Sequence, residues 1–134
     1  MNRKAKVLLI DDETMFTRLL RINLERTGQY EVREENDGSK GYAATLEFRP
    51  DVILLDVMMR ECPGPEVARQ IRADHQLRGI PIIFVTATPI DGVPGRDEAC
   101  DIPYITKPAP IAQIVRSIDR TCGLGAKGAE GEAA

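Results

Sequence analysis

The chain has 134 residues, 43% of them hydrophobic and 29% charged, with 18 Lys and Arg against 21 Asp and Glu for a net charge of −3. That length fits one domain with a modest core, and the balance leaves no basic field to hold nucleic acid by its phosphates. No apolar run approaches the roughly 18 residues of a membrane span, and the basic start Met1-Asn2-Arg3-Lys4-Ala5-Lys6 leads into a run too short for a signal peptide. Cys62, Cys100 and Cys122 lack metal-type spacing. An odd count without a secretory signal predicts free thiols in a reducing, cytoplasmic setting.

In chain order, Val7-Leu8-Leu9-Ile10 is an all-apolar strand that ends in Asp11-Asp12. Residues 14–27 predict a helix, with Phe16, Leu19, Leu20 and Leu24 at helical spacing and Gly28 as its C-cap. A short strand follows over 30–35, then the turn Asn36-Asp37-Gly38-Ser39 with Ser39 as an N-cap. The second helix carries Tyr42, Ala43 and Leu46 and stops before Pro50. Val52-Ile53-Leu54-Leu55 is apolar on both alternating faces, as a strand covered on both sides must be, and runs into Asp56.

Arg60-Glu61-Cys62-Pro63-Gly64-Pro65 is a loop by composition, and a third helix from about Pro65 to Asp74 turns Val67, Ala68 and Ile71 inward. Ile80-Pro81-Ile82-Ile83-Phe84-Val85-Thr86 is a fourth strand. Pro89, Gly92, Pro94 and Gly95 disfavour a long helix over 88–101, so the fourth helix is expected to be short or irregular. Pro103-Tyr104-Ile105-Thr106 is a brief fifth strand; Ile111, Ile114, Val115 and Ile118 mark an amphipathic fifth helix. The domain is taken as 1–122, with 123–134 a disordered Gly-, Ala- and Glu-rich tail. Strand–helix alternation of this kind predicts an α/β fold with a doubly wound parallel sheet.

If the strands are parallel, Asp11, Asp12, Asp56, Thr86 and Lys107 gather on one rim, where open α/β sheets bind ligands. A pair of carboxylates about 4 Å apart repels by about 4 kcal/mol at an effective dielectric near 20. Such a cluster raises its pKa values or takes a cation, and hard oxygen ligands suit Mg²⁺. A carboxylate nucleophile, a Mg²⁺ site, a lysine and a hydroxyl are the parts needed to form and hold an aspartyl phosphate. Each residue also has a plain reading. Asp12 alone is as good an N-cap, Thr86 alone an ordinary strand residue, Lys107 alone a surface lysine and Tyr104 alone a packing aromatic. His75 is expected in solvent and Cys62 to be a bystander, with Glu13 and Asp37 at the surface and Glu13 in reach of a metal only through water.

The stretches Val-Leu-Leu-Ile-Asp-Asp-Glu (7–13), Asp-Val-Ile-Leu-Leu-Asp-Val-Met-Met (51–59), Val-Thr-Ala (85–87) and Tyr-Ile-Thr-Lys-Pro (104–108) occur in one order and spacing. With these, the chain resembles a CheY-like receiver domain of a two-component response regulator, over about residues 6–121. The resemblance implies a flavodoxin-like five-stranded sheet of order 2-1-3-4-5. It implies Asp56 as phosphoacceptor, Mg²⁺ on Asp11, Asp12, Asp56 and the main-chain carbonyl of Met58, and phosphoryl oxygens on Thr86, Ala87 and Lys107. It further implies an aromatic switch at Tyr104 and a cis bond before Pro108. The implied partners are a sensor histidine kinase or phosphotransfer protein and a downstream protein target. Direct contact with nucleic acid or membrane is not implied, and a phosphorylation-dependent dimer is allowed. The chain departs from the family pattern at Arg60, Cys62 and Pro63, where Pro and Met-Asp are usual, and again between Thr88 and Asp101.

Two other functions fit parts of the pattern. A phosphatase working through an aspartyl intermediate commonly has a second Asp two residues after the nucleophile, where this chain has Met58. A flavodoxin-like electron carrier needs a Thr-, Ser- or Gly-rich phosphate loop after the first strand, where this chain has acids.

Overall fold

The computed structural model describes residues 3–87 and 101–123. The strands β1 (Ala5–Ile10), β2 (Tyr30–Glu35), β3 (Val52–Asp56), β4 (Ile82–Thr86) and β5 (Tyr104–Thr106) form one parallel sheet of order β2-β1-β3-β4-β5. The helices among the described residues are α1 (Thr14–Arg26), α2 (Gly41–Phe48), α3 (Gly64–Ala73) and α4 (Ile111–Cys122), the last being the amphipathic fifth helix of the sequence reading. The short fourth helix expected over 88–101 and the tail expected to be disordered lie outside the described residues, apart from Asp101, which pairs with Arg72 at 2.9 Å, and Gly123.

The all-apolar strands are explained by two cores, one on each face. Leu8, Ile10, Ile53, Leu55 and Phe84 point to α2 and α3 and pack with Val67, Ala68 and Ile71. Their neighbours Val7, Leu9, Val52, Leu54, Ile83 and Val85 point the other way, to Leu20, Leu24, Ile114 and Ile118 of α1 and α4. Strand side chains alternate faces, so doubly covered strands must be apolar at every position.

Several local expectations are corrected. Leu19 is 51% exposed on α1, and buried Thr17 takes the inward position. On α2, Ala43 is exposed while Ala44 and Thr45 are buried. Asp37, not Ser39, caps the turn: its carboxylate accepts the Ser39 N–H at 2.9 Å, which leaves Ser39 inside the 3-10 turn Gly38–Lys40. Asp12 does not cap α1; Glu13 holds the N-cap place without a side-chain bond. β1 begins two residues early, at Ala5, because the Ala5 N–H reaches the Gln29 carbonyl at 3.0 Å. Gly28 ends α1 at φ 77°, a left-handed conformation that suits glycine. Cys62 and Cys122 are free thiols.

Candidate functional site

Register brings the site together. Ile10 pairs with Leu55 across β1 and β3, so the residues leaving both strands, Asp11 and Asp56, emerge side by side. Asp56 pairs with Val85, which sets Thr86 one step further along the same rim, and Thr86 pairs with Thr106 next to Lys107. Carboxylate oxygens of Asp11, Asp12 and Asp56 all lie within 4.8 Å of one another. Asp11 is 3% exposed and Asp56 7%.

Among the described residues, the cation at these acids is Lys107. Lys107 Nζ lies 2.8 Å from Asp11 Oδ2 and 3.1 Å from Glu13 Oε1, and 4.4 Å from the centroid of the Phe16 ring. Burial pulls the Lys107 pKa down, but the bond and charge of Asp11, with the charges of Asp56 and Glu13, hold it above the usual lysine value. Burial also pushes Asp11 up, and Lys107 and the Glu13 N–H offset this only in part. Asp56 is raised to about 7, first by burial and then by the Asp11 charge; Lys107 and a hydrogen bond from the Met58 N–H pull it back incompletely. Electrostatic stress of this sort, in which acids outnumber cations in a dry recess, suits a hard divalent cation with oxygen ligands.

The loop after β3 is held close to Asp56. The Gly64 N–H donates to the Val57 carbonyl at 2.8 Å. A Cβ on Gly64 would fall 2.3 Å from the Asp56 carbonyl oxygen and 2.9 Å from Val57 Cα, so only glycine fits. The Arg60 N–H points at Asp12 Oδ2 from 3.4 Å, a contact that a proline there could not make.

The remaining expected residues are placed as follows. Thr86 is fully buried at the end of β4, Ala87 is exposed just beyond it, and the Lys107 N–H donates to the Thr86 carbonyl at 2.7 Å. The peptide bond between Lys107 and Pro108 is cis. Met58 and Tyr104 turn their side chains outward, 52% and 50% exposed. His75 is exposed, well away on the chain segment after α3. Sequence reasoning does not single out two participants, Phe16 and Asn36, and it gives Glu13 a water-mediated place where the structure has it bonded to Lys107. The Asn36 amide donates to the Asp11 main-chain carbonyl at 2.7 Å. The signal for Asn36 was its place: β2 ends at Glu35 opposite Ile10, so the next residue stands beside Asp11.

Comparisons with known proteins agree with this geometry. Residues 7–119 match the family model described as response regulator receiver domain. The DNA-binding dual master transcriptional regulator RpaA of a Synechocystis species is 34% identical over 84% of this chain, which spans only 47% of RpaA. The polar-differentiation response regulator DivK of Brucella anthropi is 32% identical over 87% of this chain and 95% of its own length. Among solved structures, the receiver domain of a Pseudomonas aeruginosa sensor histidine kinase, with a magnesium ion coordinated in its active-site cleft, superposes with a TM-score of 0.79. It is 27% identical and covers 90% of this chain and 99% of its own. The chain belongs to the response regulator receiver domain family, the phosphoaccepting signalling switches of two-component systems.

Proposed function

We propose that Asp56 is the phosphoacceptor, that Asp11, Asp12, Asp56 and the Met58 main-chain carbonyl hold Mg²⁺ beside it, and that the donor is a histidine kinase or histidine phosphotransfer protein. One observation carries the reading: three carboxylates lie within 4.8 Å of one another, and the lysine that the described residues bring to them is bonded to Asp11. Bound Mg²⁺ supplies positive charge for the carboxylates and for the incoming phosphoryl oxygens. An Asp56 carboxylate oxygen forms the new bond to phosphorus as the phosphorus–nitrogen bond of the donor's phosphohistidine breaks. Lys107, now held by Asp11 and Glu13, turns to the phosphoryl group, and the Thr86 hydroxyl and Ala87 N–H donate to it.

The energetics are sufficient for a switch. Moving an equilibrium from 1:99 to 99:1 takes about 5.5 kcal/mol. A phosphoryl group brings roughly −1.5 to −2 charge and three acceptors, and two or three charged hydrogen bonds at about 1.5–3 kcal/mol each reach that sum. Tyr104, half exposed on β5, is the side chain that follows Thr86 inward. A protein donor is further supported by exposed Met15, Leu19 and Ile22, which recur at helical spacing along α1 directly after the acids, and by exposed Met58 in the loop after Asp56. The output is altered contact with a downstream protein or a second copy of this chain, in the cytoplasm. No step needs nucleic acid or membrane, and none of the described helices is long and apolar enough to cross one.

The test is an NMR comparison of the protein with Mg²⁺ alone and with Mg²⁺ and beryllofluoride. Wild-type protein is expected to shift around Asp56, Thr86, Tyr104 and Lys107, and Asp56→Asn to give no beryllofluoride response. An equal response in Asp56→Asn would reject Asp56 as the acceptor.

A further inference from the structure

Behind the acids lies a hydrogen-bonded chain that the phosphoryl chemistry does not itself use. The Asn36 amide nitrogen donates to the Asp11 carbonyl at 2.7 Å and to the Thr17 hydroxyl at 3.0 Å. The Thr17 hydroxyl, having accepted from Asn36, has one proton to donate and two acceptors in reach, Glu34 Oε1 at 2.8 Å and the Thr14 carbonyl at 3.1 Å, of which the charged Glu34 is the nearer. Glu34 Oε2 in turn takes Arg18 Nε at 3.3 Å and Arg21 at 3.4 Å. Thr17 is fully buried, and the Glu34 side chain is 10% exposed. The direction of the chain is fixed by chemistry. A carbonyl can only accept, so the nitrogen side of the Asn36 amide must face Asp11, and its second proton then reaches Thr17.

Asp11 thereby has every polar atom engaged. Its N–H donates to the Glu35 carbonyl at 3.1 Å, Oδ1 accepts the Glu13 N–H at 2.9 Å, Oδ2 accepts Lys107, and its carbonyl accepts Asn36. Three of these bonds come from the site itself or from the ladder. The Asn36 bond is the one supplied by a side chain outside both, and it fixes the peptide that joins Asp11 to Asp12.

We infer that Asn36, backed by Thr17 and Glu34, is a positioning residue that presets the Asp11–Asp12 turn for the divalent cation. This inference rests on the magnesium reading above. Its physical basis is that groups which orient metal ligands without touching the metal typically change metal affinity by 10–100-fold when removed. Without the amide, the Asp11 carbonyl is left partly unpaired and the peptide is free to rotate, so the two carboxylates must be reordered each time the cation binds.

The test is Mg²⁺ titration by calorimetry of wild-type protein, Asn36→Ala, Thr17→Val and Thr17→Ser, with a urea midpoint for each in chelator. Asn36→Ala is expected to weaken Mg²⁺ binding about tenfold. Thr17→Val, which keeps the shape but drops the hydroxyl, is expected to weaken it about threefold, scaled from the same range because Asn36 itself stays. Thr17→Ser is expected to match wild type. A purely structural role would lower the urea midpoints and leave the affinity of the folded protein unchanged. Wild-type affinity in folded Asn36→Ala would overturn the inference; if that variant does not fold, wild-type affinity in Thr17→Val would do so. Failure of wild-type protein itself to bind Mg²⁺ would instead overturn the metal site on which the inference rests.

Discussion

At the start of β3, Asp51 takes the Lys6 N–H at 2.7 Å and the Arg3 guanidinium at 3.0 Å. At its end, five residues later, Asp56 lies in a recess with Asp11 and Asp12, and the nearest cation is already bonded to Asp11. The two aspartates are the same chemical group on one short strand. At the N-terminal edge of the sheet Asp51 has its own donors, and across that edge the hydroxyl of buried Tyr30 donates a hydrogen bond to Asp119. At the C-terminal edge the acids compete for one lysine. The first arrangement closes the fold; the second leaves crowded negative charge that a proton or a divalent cation relieves.

This contrast can be broken most forcefully with pH. Asp56 is raised to about 7 in the folded protein against an ordinary carboxylate value of 3.8, so between these values the folded state binds the extra proton. Stability of the metal-free protein therefore falls as pH rises from about 4 to about 7. Urea midpoints in chelator across that range are expected to decline, and Asp56→Asn is expected to remove most of the decline. An unchanged slope in Asp56→Asn would show that Asp56 is not the group that takes up the proton on folding.

A smaller effect is expected from Gly64→Ala. The added methyl meets main-chain atoms of Asp56 and Val57, which cannot swing aside as a flexible side chain would. A loss of about 1–3 kcal/mol is expected, together with weaker Mg²⁺ binding because Asp56 itself is displaced. Full stability in Gly64→Ala would mean that the loop after β3 is not pressed against the site.

At the opposite edge, Tyr30→Phe removes one buried hydrogen bond and is expected to cost about 1–1.5 kcal/mol while leaving Mg²⁺ affinity unchanged. Arg3→Ala is expected to cost less than about 1 kcal/mol, since Arg3 is an exposed partner of Asp51 and the Lys6 N–H remains. A change of Mg²⁺ affinity in either variant would erase the distinction between the two edges.

Much of this was legible in the sequence. Strand runs with no polar alternation, such as Val52 to Leu55, required cover on both faces, and that required a parallel sheet. Parallel strands that end in acid then bring Asp11, Asp12 and Asp56 to one rim. Less legible were features that depend on partners distant along the chain. Leu19 obeys helical spacing, yet Thr17 is buried in its stead, because its hydroxyl has Asn36 and Glu34 to meet. Asp12 has the composition of an N-cap, but Asp11 takes the Glu13 N–H, and Asp12 is left facing Arg60. Asn36 reads as a turn residue because nothing local reveals that its amide reaches back to Asp11.

The central claim is that these crowded acids exist to accept a phosphoryl group. Its most direct measurement is peptide mapping by mass spectrometry after incubation with acetyl phosphate, with Mg²⁺ and with chelator. The account predicts a single phosphoryl group on Asp56 that requires Mg²⁺. A modification on any other residue, or one on Asp56 that forms equally well in chelator, would contradict it.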